Sequence, residues 1–308
     1  FFKQKTAYEI PKRDWSSDVC SSDLNPAIGR DALPFVDPLQ PDTQLTIHTY
    51  RPAAHRPDDP VVLVQHGMKR NGDDYRDFWI DAAEKHRLLI VAPTFSAQRF
   101  PEADNYNNGR LRAADGSLRP REQWLYAVLP RVVQALRAAG VTRREQVRLF
   151  GHSAGGQFVH RLLGTQDHSL YESVTAGNPG WYTLPTLDLP FPHGLAGLGL
   201  EPADLARWLA YPMTILAGDR DVDTTDPSLP SNPEALAQGP TRYARAHFFH
   251  ETGYRQAARL GVPCHWKIVT VPGVGHDGNA MGRAAAALWF EGRLETSALG
   301  SSSATPVA

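Results

Sequence analysis

The sequence predicts an α/β fold with a mostly parallel central sheet flanked by helices. Three observations lead there. Two short runs, residues 61–64 (VVLV) and 88–93 (LLIVAP), are apolar throughout, as strands buried on both faces require. Stretches of helical periodicity separate such runs, so strands and helices alternate as βαβ units do. A third run, within 146–150 (QVRLF), ends at Gly151-His152-Ser153-Ala154-Gly155 and passes at once into a helical pattern.

Length and composition narrow the possibilities. Residues 3–10 (KQKTAYEI) and 14–24 (DWSSDVCSSDL) resemble translated sequencing-adapter DNA, with 10–13 spanning an index, and there is no initiator Met. Residues 1–24 are therefore set aside as foreign to the protein, and the native N-terminus, with any signal peptide, is expected to be missing. Setting aside 24 of 308 residues leaves 284, which suits one domain (25–292) with a sizeable core. The net charge is −1 and stays so without the first 24, which carry four basic and four acidic residues. Near-neutrality argues against nucleic acid as a main partner. Besides Cys20, in the excluded part, Cys264 stands alone, so no intrachain disulfide is expected. No stretch approaches the roughly 18 consecutive apolar residues of a membrane span.

In chain order, 25–60 reads as a proline-rich lead-in with one strand at 44–50. A helix is expected at about 75–86, then the buried strand at 88–93. Residues 96–119 are polar, with turn signals at Asn108-Gly109 and Asp115-Gly116, and a loop of that length in a compact domain is usually functional or mobile. Helical periodicity over 122–139 is interrupted by Pro130, which would kink or split the helix. A strand follows at 171–176. Residues 178–200 (NPGWYTLPTLDLPFPHGLAGLGL) are apolar, aromatic and rich in Pro and Gly, and cannot be one regular element. They fall within a cap-like insertion at 177–210. A helix at 202–210, a strand at 213–217, a polar loop at 218–238, a helix at 242–260, a strand at 266–271 and a closing helix at 280–291 complete the domain. The Ser/Ala-rich stretch 293–308 reads as a disordered tail.

The strand–turn–helix around Ser153 carries the chemistry. A serine hydroxyl is a poor nucleophile unless it is held exposed beside a base. A sharp turn lifts it above the sheet and brings strand and helix so close that positions two before and two after tolerate little beyond hydrogen. Gly151 and Gly155 meet that demand, and Gly156 extends it. Two acceptor positions follow later strands. His276 ends the run Val271-Pro272-Gly273-Val274-Gly275-His276. Asp219, Asp221, Asp223 and Asp226 crowd the loop after 213–217. Spacing favours Asp221 as the acid, with Asp223 the runner-up. The same cluster fails as an EF-hand loop, because Thr224 replaces the required Gly and Pro230 the final Glu. No metal and no cofactor are expected.

GHSAGG, the His66-Gly67 pair and VPGVGH resemble the α/β-hydrolase superfamily over residues 44–291, and within it bacterial serine esterases and polyhydroxyalkanoate-depolymerase-like proteins. The resemblance implies a Ser153–His276–Asp221 relay, an acyl-enzyme and hydrolysis of carboxylic esters, small or polymeric. Backbone N–H groups of Ala154 and Met68 would hold the oxyanion, Gly67 letting the loop approach. His66, Gly67, His152, Trp181, Tyr182 and Phe191, with Trp208 as a further aromatic, are the expected substrate contacts. Two alternatives stay open: a serine peptidase of the same fold, and a non-catalytic binding protein.

Overall fold

The computed structural model describes residues 24–294. The adapter-like stretch and the Ser/Ala-rich tail lie outside these residues, except for Leu24, which is buried against the core, and for 293–294.

Among the described residues, eight strands form one sheet in the order β1-β2-β4-β3-β5-β6-β7-β8. β1 (Gly29–Asp37), β2 (Gln40–Arg51) and β4 (Leu89–Thr94) pair antiparallel; β3 (Val61–Gln65), β5 (Val147–His152), β6 (Tyr171–Gly177), β7 (Thr214–Gly218) and β8 (Lys267–Val271) run parallel, β3 also pairing with β4. The parallel centre reads as continuous burial: every residue of β3 is buried, as its unbroken apolar run requires. β2 instead alternates, with Thr43, Leu45, Ile47 and Thr49 buried and the residues between them half-buried.

Eight α-helices among the same residues cover the sheet: α1 (Gly72–Asp77), α2 (Ile80–His86), α3 (Val128–Ala138), α4 (Ala154–Thr165), α5 (Pro202–Ala210), α6 (Pro233–Leu236), α7 (Arg242–Leu260) and α8 (Gly278–Phe290). Two apolar clusters result, one on each side. Phe158, Trp208, Phe249 and Trp266 anchor the larger, under α3, α4, α5 and α7. Trp79, Phe150 and Met281 anchor the smaller, under α1, α2 and α8. None of the described helices is long and apolar enough to cross a membrane.

Four elements differ from the sequence reading, one of them the loop at 218–238, which holds the short helix α6. The lead-in holds two strands, not one. β1 is the edge strand, where Pro34 costs no ladder hydrogen bond, so the proline that masked it is tolerated. The helix expected at 75–86 is two short helices. The one expected at 122–139 begins at Val128, which puts Pro130 in the first turn, where a missing N–H is harmless. Residues 178–200 contain no helix or strand, as their composition demands.

The sheet and α4 meet at the elbow with almost no clearance. A Cβ on Gly155 would lie 2.2 Å from the Gln65 carbonyl oxygen, and one on Gly151 would lie 2.1 Å from that of Gly155. Gly155→Ala should therefore cost about 3 kcal/mol or prevent folding, because only backbone could move aside. Gly116→Ala, with φ +82° and nothing within 4 Å, should cost about 1 kcal/mol of backbone strain. Urea unfolding midpoints of the two variants check this; equal losses would count against it.

Candidate active site

Ser153 is the residue before α4, at φ 57° and ψ −121°, a region L-residues rarely occupy. The chain is held there from both sides: Ser153 N–H donates to Gly177 O (2.9 Å), and Gln157 N–H donates to Ser153 O (3.0 Å). The hydroxyl thus sits at the carboxyl ends of β5 and β6, with the first amides of α4 beside it.

His276 Nε2 lies 3.0 Å from Ser153 Oγ, and its Nδ1 lies 2.8 Å from Asp221 Oδ2. An ionised carboxylate cannot donate, so Nδ1 carries the proton and Nε2 is left to accept from the hydroxyl. Asp221 is only 3 % exposed. Its second oxygen accepts from Arg242 Nη1 at 3.3 Å, and the same nitrogen donates to Asp226 Oδ2 at 2.7 Å, while Nη2 donates to Ser228 Oγ. A buried carboxylate held between an arginine and an imidazole keeps both oxygens satisfied.

The four aspartates of this loop have four different jobs. Asp219 accepts from Gly273 N–H (2.7 Å) and so ties the acid loop to the histidine loop. Asp221 meets His276. Asp223 is exposed and accepts from Thr225 N–H and Oγ, with no hydrogen bond to His276 among the described residues. Burial would raise the Asp226 carboxyl, but hydrogen bonds from Ser228 and Arg242 lower it to about 2.

The loop after β3 approaches the hydroxyl closely. A Cβ on Gly67 would be 3.6 Å from Ser153 Cβ and 3.1 Å from the Tyr75 hydroxyl. Met68 follows with a half-exposed side chain, and Ala154 is buried at the start of α4.

His66 and His152, expected as substrate contacts, are both buried. His66 Nε2 accepts from Phe95 N–H (3.0 Å), so its Nδ1 donates to Gly67 O (2.8 Å); the imidazole orders the Gly67 loop from below. Burial, aided by Arg70, depresses its pKa to about 3. His152 Nδ1 and the Tyr75 hydroxyl share a hydrogen bond of 2.7 Å, and the imidazole ring packs 4.7 Å from that of His276. Burial first, then the neighbouring His276 and Arg242, drive the His152 pKa well down.

The aromatics of the irregular segment divide. Trp181 is half-buried, and its carbonyl accepts from Gln157 Nε2, one turn of α4 after Ser153. Tyr182 is not at a pocket surface: it is wholly buried and stacks on Phe249 at 4.3 Å. Trp208 is likewise core, packed on Trp266. Phe191 lines a separate cleft with Arg110 and Leu111.

The structure is similar to that of a poly(3-hydroxybutyrate) depolymerase, LpqC, from Bordetella parapertussis, at 55 % identity and a TM-score of 0.86, over 88 % of this chain and 92 % of that one. The chain is a polyhydroxyalkanoate-depolymerase-like α/β-hydrolase. A poly(aspartic acid) hydrolase from Sphingomonas sp. KT-1 is similar at 34 % identity and a TM-score of 0.81, over 85 % and 98 %. An S-formylglutathione hydrolase from Agrobacterium tumefaciens, at 18 % identity and a TM-score of 0.55 over 85 % and 94 %, shares the fold. No family model and no curated protein matches the chain.

Three residues of this hydrolase's site escaped the sequence reading. Arg242 opens a helix far along the chain, and nothing local marks it as the partner of Asp221. Asn178 sits at φ 43°, its amide oxygen accepting from Gly218 N–H and its nitrogen donating to Gly275 O, which bridges the acid and histidine loops. Tyr75 joins the Gly67 loop to the elbow through His152. Only Asn178 carried a signal, as an Asn-Pro turn directly after a strand.

The buried neutral imidazoles set an acid limit. His160 joins His66 and His152: its Nε2 accepts from Thr183 N–H, and burial then Arg161 lower its pKa well below the ordinary value. The unfolded chain takes up these protons below about pH 6.5, and the folded one resists until far lower, so stability falls as pH falls. From its folded value of about 3, His66 alone should remove about 2 kcal/mol of stability between pH 7 and pH 5, with His152 and His160 acting in the same direction. Urea unfolding at the two pH values measures this; equal stability would contradict the neutral buried forms.

Proposed function

We propose that this hydrolase cleaves carboxylic esters, polyester chains among them, through an acyl-enzyme on Ser153. The observation that carries the reading is the unbroken hydrogen-bonded series from Ser153 Oγ to His276 to Asp221, at 3.0 and 2.8 Å. Ser153 Oγ attacks the carbonyl carbon while His276 Nε2 takes its proton. Asp221 holds the imidazole in the tautomer that can accept and stabilises the imidazolium that forms. The tetrahedral oxyanion is met by the N–H groups of Ala154 and Met68. Collapse breaks the ester C–O bond, and His276 returns the proton to the leaving alcohol. A water molecule then attacks the acyl group, again with His276 as base, releasing the acid and restoring the serine.

Acyl contact falls to the half-exposed Met68, in the loop that approaches Ser153, and to half-buried Trp181, whose carbonyl is bonded to Gln157 one turn along α4. The poly(3-hydroxybutyrate) depolymerase relative supports a polyester substrate. A second reading, amide hydrolysis, draws on the poly(aspartic acid) hydrolase relative. The two separate by chemistry: an amide leaves only if protonated well, so an enzyme built for esters turns over p-nitrophenyl esters and leaves aminoacyl anilides nearly untouched.

Ser153→Ala should cut p-nitrophenyl ester turnover by several orders of magnitude, since the three groups act as a unit. Asp221→Asn should cost about 10³- to 10⁴-fold in kcat by fixing the wrong tautomer. Asp223→Asn should leave turnover at the wild-type level. Wild-type turnover in Asp221→Asn, paired with a loss in Asp223→Asn, would reverse the assignment of the acid.

A further inference from the structure

The long polar loop at 96–119 and the irregular segment at 178–200 leave a cleft of about 520 Å³ between them. Its two walls differ in kind. Arg110, Arg112 and Arg119 contribute three guanidinium groups from the loop, and Phe191, Pro192 and Leu198 contribute apolar surface from the segment opposite. The one carboxylate in the lining, Asp104, already accepts from Asn108 Nδ2 at 2.6 Å. The cleft is therefore cationic on one side and apolar on the other.

The arginines are anchored but not satisfied. Arg112 Nη1 donates to Gly116 O (2.9 Å), and Arg119 Nε donates to Arg112 O (3.1 Å). Each guanidinium has five N–H donors in a planar fork suited to a carboxylate. Arg110 is half-buried, and among the described residues its guanidinium has no hydrogen bond or ion pair. Burial, and then the charge of Arg119, lower its pKa by more than Asp42 raises it, as expected where like charges gather. Arg110 is also held at φ 51°, a strained position for a side chain of that size.

The loop that walls the cleft is tied to the helix that carries the serine at its start. Asn108 lies in its wall, and the preceding Asn107 donates from Nδ2 to Gln157 Oε1 at 2.7 Å, one turn of α4 beyond Ser153. We propose that this cleft binds the carboxylate end of an acyl oligomer, with the charge on Arg110, Arg112 and Arg119 and the chain against Phe191 and Leu198. Every ester cleavage in a polyester leaves one fragment ending in a carboxylate, so such a site would recognise chain ends. The inference rests on the ester-hydrolase reading for the identity of the chain, not for the existence of an anion site.

Binding to the full chain bearing Ser153→Ala, which cannot turn substrate over, tests it by calorimetry. The probes are a 3-hydroxybutyrate trimer with a free carboxylate, its methyl ester, and inorganic phosphate. The expected result is tighter binding of the acid than of the methyl ester by about tenfold or more, as a charge-assisted hydrogen bond supplies. Arg110→Gln and Arg119→Gln should each erase most of that preference while leaving methyl-ester affinity in place. Equal affinity for acid and methyl ester would overturn the proposal, as would a preference that survives both substitutions. Phosphate binding as tightly as the acid would make this a general anion site and would also overturn it. The acid-over-ester preference needs no arginine variant, so a misfolded substitution leaves the test standing. Failure of ester turnover at Ser153 would be read separately, from p-nitrophenyl ester kinetics.

Discussion

The site depends on one close approach: the backbone of α4 against the carboxyl ends of β3 and β5. Gly151 and Gly155 bring those chains within a distance no Cβ allows. That contact leaves Ser153 the φ of 57° that lifts its hydroxyl clear of the sheet. The strain is repaid locally, by the Ser153 N–H bond to Gly177 and the first turn of the helix. Once the hydroxyl is fixed, the lengths of the loops after β7 and β8 decide whether an acid and a base can reach it.

Those loops are braced by polar groups bonded to one another and to the backbone. Asn178 bonds both of them, Asp219 bonds the amide of Gly273, and Arg242 fixes the free oxygen of Asp221. On the other side, Tyr75 and His66 hold the Gly67 turn from within the core. The hydrogen-bond partners around these groups hold His66 and His160 neutral in one tautomer each. The same low-dielectric surroundings that keep them neutral make the fold costly to maintain in acid.

Much of this was legible in the chain, and for identifiable reasons. The central strands announced themselves because burial on both faces leaves no room for polar residues. The elbow was legible because its glycines answer a steric demand at fixed spacing. Elsewhere the signal was non-local. β1 was hidden by Pro34, which an edge strand accepts. Spacing favours Asp221 over Asp223, and burial and the distant Arg242 set Asp221 further apart. Trp181 and Tyr182 are neighbours with opposite surroundings, and an irregular segment has no period to say which faces inward. His66 reads as a site residue by position, yet the hydrogen bond from Phe95 makes it part of the core.

The central claim is that the Ser153 hydroxyl is activated by His276. Treating the protein with a fluorophosphonate, weighing it intact and mapping the adduct to a peptide tests this most directly, because an unactivated serine does not react. The account predicts one adduct, on Ser153, formed rapidly in the wild type and lost in His276→Ala. An unmodified Ser153, or equally fast labelling without the imidazole, would contradict it.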